Sequence, residues 1–356
     1  FGSSPAPPPS AIVGRGERLP GMRPGVPGGG SLWDSDLVAG VAFRARTCRP
    51  SSKQGPDGGG WIDSDVAASD GTRIAYRLYT APNSQSTAKP VVLVYFHANA
   101  ELCTDLETEM SLVYECGYHC VLCPEFRGYA WSGGKPRLAS ICPDAEAVLE
   151  ALPGILSKAG YQAGSPSIVL HGRSLGSACA VHLAAKRSEA VAALVVESGV
   201  MTLLELPMVR QIGAMMPEML RLLMAEPCPL STLAEMRQVQ IPTLIIHGVR
   251  DEVSPVDQAV SAHRACASST KKLVRYPGCH HNDLRATAGK DYYGELRLVC
   301  QIASGGVPAE ALLQTEQRDT GLLGIITGAL RCLPVGMRRC LAGRDDALEE
   351  REHPHP

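Results

Sequence analysis

The stretch VLHGRSLG at residues 169–176 decides the fold of this chain. An apolar run typical of a buried strand ends in a Gly-x-Ser-x-Gly motif, and a helix-length segment at 175–187 follows. At such a junction the serine lies on a sharp turn that exposes its hydroxyl above a sheet, and only small residues fit two positions to either side. The helix also directs its N-terminal amides at the same point. The motif therefore predicts Ser174 as a nucleophile and Leu175 N–H as a donor to an oxyanion.

The sequence around this motif alternates between short β-rich runs and helix-length amphipathic segments. That alternation predicts an α/β fold, with a mostly parallel central sheet flanked by helices. Strands are predicted near 74–78, 91–97, 119–123, 167–171, 191–197, 241–247 and 272–276, and helices near 100–115, 143–158, 175–187, 255–266 and 289–302. A Met- and Leu-rich insert at 201–237 breaks the alternation and predicts a small helical lid. Its methionines suit either the lining of a variable apolar site or simple packing onto the sheet.

Composition narrows the class of protein further. The chain has 356 residues, of which 45% are hydrophobic and 20% charged, so it is long enough to bury a sizeable core. Its formal net charge of -2 offers no general attraction for nucleic acid, and we expect no such partner. Thirteen cysteines without regular spacing or a visible signal peptide favour free thiols in a reducing compartment, so the predicted location is cytoplasmic.

The two ends of the chain differ in texture from its middle. Residues 1–60 are rich in Pro and Gly and predict a disordered arm, whereas 61–304 predict the catalytic domain. The tail at 305–356 is predicted to be partly helical. Its apolar stretches are punctuated by arginines and include Cys332 and Cys340, so two interpretations stay open: a peripheral membrane contact, or an extra docked or poorly ordered segment.

A nucleophilic serine needs a base and an orienting acid, and both follow in the expected order. Asp251 comes after the predicted strand at 241–247, and His280 and His281 come after the strand at 272–276. The stretch YFHANAE at 95–101 ends the strand at 91–97, where a backbone amide can complete an oxyanion hole. All of these positions lie at the carboxyl ends of strands, where α/β folds build their sites. The pattern predicts acyl transfer through a Ser-Asp-His triad.

Other polar residues admit competing interpretations. Glu197 ends a strand facing the elbow and is either a rival acid or, as we favour, a structural carboxylate. Cys120 and Cys123 have Cys-x-x-Cys spacing, but residues three apart in a strand point to opposite faces, so we interpret them as core thiols and predict no metal site. No glycine-rich phosphate loop occurs in the sequence, and a triad requires no cofactor, so none is expected.

Several stretches together resemble the α/β-hydrolase superfamily. They are FHANAE at 96–101, FRGY at 126–129, SGGKP at 132–136, the elbow, ESG at 197–199, PCPL at 227–230 and HGVRDEV at 247–253. The resemblance is strongest to the serine aminopeptidase-like hydrolases, a branch that also contains protein depalmitoylases. It implies an α/β-hydrolase fold over roughly 61–304.

The resemblance also assigns roles to individual residues. It implies Ser174 as nucleophile, Asp251 as orienting acid and His281 as general base, with oxyanion amides from Asn99 and Leu175. His280 stands where a small residue is usual and remains a rival base. Two departures from the family pattern are Ala98 in place of glycine and Ala130-Trp131 in place of Gly-x; Trp131 is expected near the entrance or over the acyl site.

The expected function is hydrolysis of an ester or thioester of a small or acylated substrate through an acyl-enzyme. Two alternatives remain. One is a catalytically silent module that binds a lipid or protein partner, and the other is an aminopeptidase-like peptidase of the same fold. Reactivity of Ser174 toward electrophiles separates the first alternative from an enzyme. The sequence indicates no oligomeric state.

Overall fold

The computed structural model describes residues 31–161 and 165–314. Within these residues nine strands form one sheet in the order β1-β2-β3-β5-β4-β6-β7-β8-β9. Their bounds are β1 Lys53–Gln54, β2 Gly60–Ala67, β3 Arg73–Thr80, β4 Val91–Phe96, β5 Cys120–Pro124, β6 Ser167–Arg173, β7 Ala193–Glu197, β8 Thr243–Gly248 and β9 Lys271–Tyr276. Pairing is antiparallel from β1 through β3 to β5 and parallel from β5 onward.

Helices flank this sheet on both faces. Their bounds are α1 Asp36–Ala42, α2 Met110–Glu115, α3 Ile141–Lys158, α4 Ser177–Lys186, α5 Pro207–Met215, α6 Pro217–Met224, α7 Thr232–Met236, α8 Asp257–Ala265, α9 Leu284–Ala288, α10 Lys290–Ser304 and α11 Ala311–Gln314. The predicted mostly parallel sheet flanked by helices is confirmed, and all seven predicted strands are present. Strands β1 and β2 were not predicted from the sequence. Strand β2 is half-buried along most of its length and lacks the continuous apolar run of a central strand.

The central strands are buried on both faces, which explains their continuous apolar sequences. Every residue of β4 is buried, and successive side chains enter different halves of the core. Val92 and Val94 belong to one apolar cluster, while Leu93 and Tyr95 belong to the other. Because side chains alternate along a strand, these two clusters lie on opposite faces of the sheet.

The insert between β7 and β8 contains three helices, α5, α6 and α7. Proline begins both α5 and α6, where its missing N–H leaves no hydrogen bond unmade. A Cβ on Gly213 of α5 would lie 2.5 Å from Cδ2 of Leu220 in α6, so glycine permits the two helices to approach closely.

Residues 31–60 contradict the predicted disordered arm, and for them that prediction is wrong. Ser35 begins α1 by accepting a hydrogen bond from Val38 N–H at 3.3 Å, and Trp33 and Phe43 are buried in the core. The composition of 1–60 obscured this helix because the surrounding glycines and prolines dominate the average. Residues 1–30 lie outside the described residues.

The chain beyond the domain is described only in part. After α10 the short helix α11 packs its Leu312 into the core. The predictions for 315–356, including Cys332 and Cys340, fall outside the described residues. Among the residues that are described, no helix is both long and apolar enough to cross a membrane.

Candidate active site

Ser174 lies on a strained turn between β6 and α4. Its φ of 51° is in the left-handed region, which is unfavourable for a residue with a side chain. The two flanking glycines make this turn possible. A Cβ on Gly172 would lie 2.5 Å from Cα of Ser177, and one on Gly176 would collide with the carbonyl of Phe96. The Gly-x-Ser-x-Gly spacing is therefore a packing requirement of the turn.

The loops after β8 and β9 bring an acid and a base to this serine. His281 Nε2 lies 3.1 Å from Ser174 Oγ, and His281 Nδ1 lies 2.7 Å from Asp251 Oδ2. All three side chains are buried. A carboxylate only accepts hydrogen bonds, so Nδ1 carries the proton donated to Asp251. In the neutral imidazole Nε2 then presents its lone pair to the serine hydroxyl.

Asp251 is held as a carboxylate by several donors. Its Oδ1 accepts hydrogen bonds from Val253 N–H at 3.0 Å and Ser254 N–H at 2.7 Å. Burial opposes ionisation, but the hydrogen bonds from His247, His281 and Ser254 outweigh it and hold the pKa of Asp251 below its ordinary value. The carboxylate is therefore ionised at neutral pH and able to orient His281.

Asn99 lies in the loop after β4, beside Ser174 and Leu175 in the lining of one cavity. Its side-chain Oδ1 lies 2.8 Å from the Tyr129 hydroxyl and accepts a hydrogen bond from Arg44 N–H at 2.9 Å. Across 31–161 and 165–314, no hydrogen-bond acceptor is found for the backbone N–H of Asn99. The neighbouring Ala98 N–H is occupied, because it donates to Glu101 Oε2 at 2.8 Å.

The two rival residues lie elsewhere. His280 is 48% exposed at its side chain and contacts Glu252 with its Nδ1 3.1 Å from Oε2, so the structure does not bring it to Ser174. Glu197 is fully buried, with hydrogen bonds from Arg173 at 3.1 Å and Tyr292 at 2.8 Å. It occupies a network beneath the site rather than a place beside His281.

Of the two alanines that replace glycine in the family pattern, Ala130 and not Ala98 adopts a positive φ. Ala98 is not among the described residues with positive φ, whereas Ala130 adopts a φ of 47° and carries the strain. Trp131 donates its indole N–H to Ser64 O at 3.0 Å and does not line the cavity. The expectation that Trp131 crowds the entrance or covers the acyl site is therefore wrong. Cys120 and Cys123 pack into different apolar clusters on opposite faces of the sheet, as their spacing predicts.

An apolar cavity of about 560 Å³ lies above Ser174. Residues around α1 form one wall, which consists of Trp33, Leu37, Val38, Val41 and Ala42. The insert forms another, which consists of Leu203, Leu206, Met208, Val209, Ile212, Met216, Met219 and Leu223. Three insert methionines thus line the cavity, while Met215 and Met224 face solvent. The wall from α1 was missed, although the spacing of Leu37, Val38 and Val41 was a helical signal.

Comparisons with known proteins agree with this architecture. No family model matches the chain. It is 29% identical over 233 residues to the α/β hydrolase domain-containing protein aho-3 of Caenorhabditis elegans, covering 65% of this chain and 62% of that protein. It is 30% identical over 211 residues to the protein bem46 of Schizosaccharomyces pombe, covering 58% of this chain and 66% of that protein. The chain thus spans just under two thirds of the length of these relatives.

Two further similarities complete the comparison. An uncharacterized protein of Mycobacterium tuberculosis is 30% identical over 230 residues, which cover 64% of this chain and 75% of that protein. The structure of an esterase from Pyrococcus furiosus superposes with a TM-score of 0.54 at 16% identity, covering 71% of this chain and 98% of that one. The fold is that of an α/β hydrolase. The chain belongs to the α/β-hydrolase family, which confirms the resemblance noted in its sequence.

Proposed function

We propose that this protein is a serine hydrolase that cleaves an ester or thioester of an acyl chain. One observation carries the proposal: the Ser174 hydroxyl meets the His281 imidazole at 3.1 Å on the floor of an apolar cavity of about 560 Å³. A nucleophile paired with a base is the requirement for acyl transfer, and an apolar cavity beside it suits a hydrocarbon chain.

The mechanism follows from the hydrogen bonds. His281 Nε2 takes the Ser174 proton as Oγ attacks the substrate carbonyl carbon, and Asp251 stabilises the resulting imidazolium. The carbonyl oxygen becomes negatively charged and is received by the N–H groups of Asn99 and Leu175. The imidazolium then protonates the departing alcohol or thiol. Water, deprotonated by His281, attacks the acyl-enzyme and releases the acid and free Ser174.

The chemistry of the cavity walls supports an acyl chain over a peptide. Apolar side chains from α1 and the insert surround the space, and polar groups are confined to its floor. Each methylene removed from water there contributes about 0.8 kcal/mol to binding. A peptide backbone lying along the same walls would leave N–H and C=O groups without partners, at about 1–3 kcal/mol each. The resemblance to a branch containing depalmitoylases supports including thioesters.

The test is labelling with a fluorophosphonate probe, which reacts with activated serines. We expect labelling of the wild-type protein, none of Ser174→Ala, and strongly slowed labelling of His281→Gln. His280→Gln is the matched control, because it changes the adjacent histidine, and it should label like the wild type. Absence of labelling in a folded wild-type protein would reject a serine hydrolase and leave the binding module as the explanation.

A second measurement separates the possible substrates. Unlabelled wild-type protein is assayed against esters of increasing acyl length, an acyl thioester and an aminoacyl amide. We expect turnover of esters or thioesters that rises with acyl length. Preferential turnover of the amide would favour the peptidase instead.

A further inference from the structure

Arg173, the residue before Ser174, is a buried guanidinium that joins separate parts of the site. Its Nη2 donates to the backbone oxygen of His281 at 3.0 Å and lies 3.4 Å from Asn282 Oδ1. Its Nη1 donates to the Glu101 carboxylate. Its Nε donates to Glu197 at 3.1 Å. One side chain therefore links the serine turn to the histidine loop.

Glu101 extends this connection to the oxyanion loop. The carboxylate that binds Arg173 also accepts a hydrogen bond from Ala98 N–H at 2.8 Å, and Ala98 directly precedes Asn99. The Tyr95 hydroxyl lies 3.3 Å from the same oxygen. Because the carboxylate has partners on both sides, a shift of the guanidinium would move the loop that presents the Asn99 amide.

We propose that Arg173 and Glu101 are a positioning pair, which sets the placement of the His281 imidazole and the Asn99 amide relative to Ser174. The inference rests on the proposed function of Ser174 as a nucleophile. A guanidinium suits this task because its donors lie in one plane at fixed angles and can hold several acceptors at once. Neither residue needs to touch the reacting atoms.

An alternative role for Arg173 is to neutralise the charge of Glu197, but that role does not explain its contacts with His281 and Glu101. Glu197 already receives two hydrogen bonds from Arg285, at 3.1 Å and 3.0 Å, and another from Tyr292. Arg173 contributes one more with Nε, while both of its terminal nitrogens point to the loops. The contacts of those nitrogens are the ones that a role in positioning requires.

The kinetic test compares Arg173→Gln, Glu101→Gln and the double variant on a short, soluble ester. We expect Arg173→Gln to lower kcat about 100-fold with KM unchanged, because small misplacements of reacting groups have effects of that size. Glu101→Gln should act in the same direction. The double variant should be no slower than Arg173→Gln, since the two residues act through one another. Arg173→Lys keeps the charge but loses the planar set of guanidinium donors, so its kcat should lie between those of Arg173→Gln and the wild type.

Arg77→Gln is the control for loss of a buried, paired guanidinium. Arg77 donates to Asp63 at 2.7 Å and 2.8 Å and to Ser51 at 3.2 Å, and neither partner belongs to the serine turn, the histidine loop or the oxyanion loop. We expect it to lower Tm while keeping the wild-type kcat. If Arg173→Gln is folded and keeps its kcat, or if Arg77→Gln loses as much kcat, the proposal is overturned.

A second readout does not depend on turnover. In protein labelled with ¹⁵N-histidine, the His281 imidazole resonances are assigned by comparison with His281→Gln. Arg173→Gln should shift them, whereas Arg77→Gln should leave them in place. An inert wild-type protein would refute the proposed function. Imidazole signals identical in the wild type and Arg173→Gln would refute the positioning role.

Discussion

The floor and the roof of the cavity are built by different means. The floor, which consists of Asn99, Ser174, Asp251 and His281, lies at the carboxyl ends of central strands, and its side chains make numerous polar contacts. The roof, which consists of α1, α5 and α6, lines the cavity with apolar side chains. None of the residues of α6, all of which the structure describes, is buried, and Met215 at the end of α5 is 77% exposed.

This difference suggests separate tasks for the two regions: the floor would carry out the reaction and the roof would select the substrate. A network of buried, mutually paired groups has one favourable arrangement, so it fixes the reacting atoms. Apolar contacts are non-directional, and methionines adapt to different shapes, so the roof suits the variable acyl chain of the proposed substrate. Floor and roof meet at Arg44, whose N–H donates to Asn99 Oδ1 at 2.9 Å. We therefore expect substitutions in the floor to affect rate or folding and those in the roof to affect substrate range.

The largest effect is expected for Asp251→Asn in the floor. An amide of the same shape can donate to His281 Nδ1, which stabilises the tautomer with its proton on Nε2 and removes the base. We expect kcat to fall about 10⁴-fold with little change in KM. The measurement is steady-state hydrolysis of a short ester, with ester binding followed separately.

The control for this variant is Asp257→Asn, which changes an exposed aspartate at the start of α8. It should retain the wild-type rate. An Asp251→Asn protein that is as active as the control would show that His281 needs no orienting carboxylate. It would also reject the idea that the paired groups of the floor hold the reacting atoms in place.

The next effect concerns stability and compares the loss of a carboxylate charge in the buried network beneath the floor with the same change in the roof. Glu197→Gln leaves the buried Arg173 and Arg285 without their shared carboxylate, and should lower the free energy of unfolding by about 3–5 kcal/mol. Glu218→Gln removes an exposed pair with Arg221 in the roof and should change it by less than about 0.5 kcal/mol. Urea unfolding measures both. Equal effects would remove the distinction between floor and roof.

The carboxylate of Glu197 also predicts that the stability of the protein depends on pH. Burial opposes ionisation of Glu197, but Arg285, His171 and Arg173 hold its pKa well below the ordinary value. A carboxylate with a lower pKa in the folded state stabilises the protein above its unfolded pKa of about 4.3, and this contribution is lost as the pH falls below that value. The wild-type protein should therefore lose stability on acidification more steeply than Glu197→Gln.

The sequence predicted the floor better than the roof, for a physical reason. Ser174, Asp251 and His281 each follow a strand, and parallel strands bring their carboxyl ends to one edge, so order along the chain implied proximity. The contacts of Arg173 could not be predicted from the sequence, because the Gly-x-Ser-x-Gly motif places no requirement on this position and the partners of Arg173 are remote in sequence. The α1 wall was hidden by its Gly- and Pro-rich surroundings, and its packing against the insert depends on tertiary contacts.

The smallest expected effect tests the roof. Val41 in α1 lines the cavity, and Val41→Trp would fill part of the space that we propose for the acyl chain. We expect kcat/KM for the longest accepted ester to fall about 10- to 100-fold, since overfilling an apolar site costs about 1–3 kcal/mol. The shortest ester should be hydrolysed at the wild-type rate, because the floor is unchanged. Hydrolysis of an acyl-length series measures both.

Val249→Trp is the matched control, because Val249 is exposed beside the site but does not line the cavity. It should leave the whole series unchanged. A uniform loss across all acyl lengths in Val41→Trp would mean that α1 acts on the floor, through the contact between Arg44 and Asn99, and not only as a wall. Selection and chemistry would then be coupled through α1, and the division between floor and roof would fail at that helix.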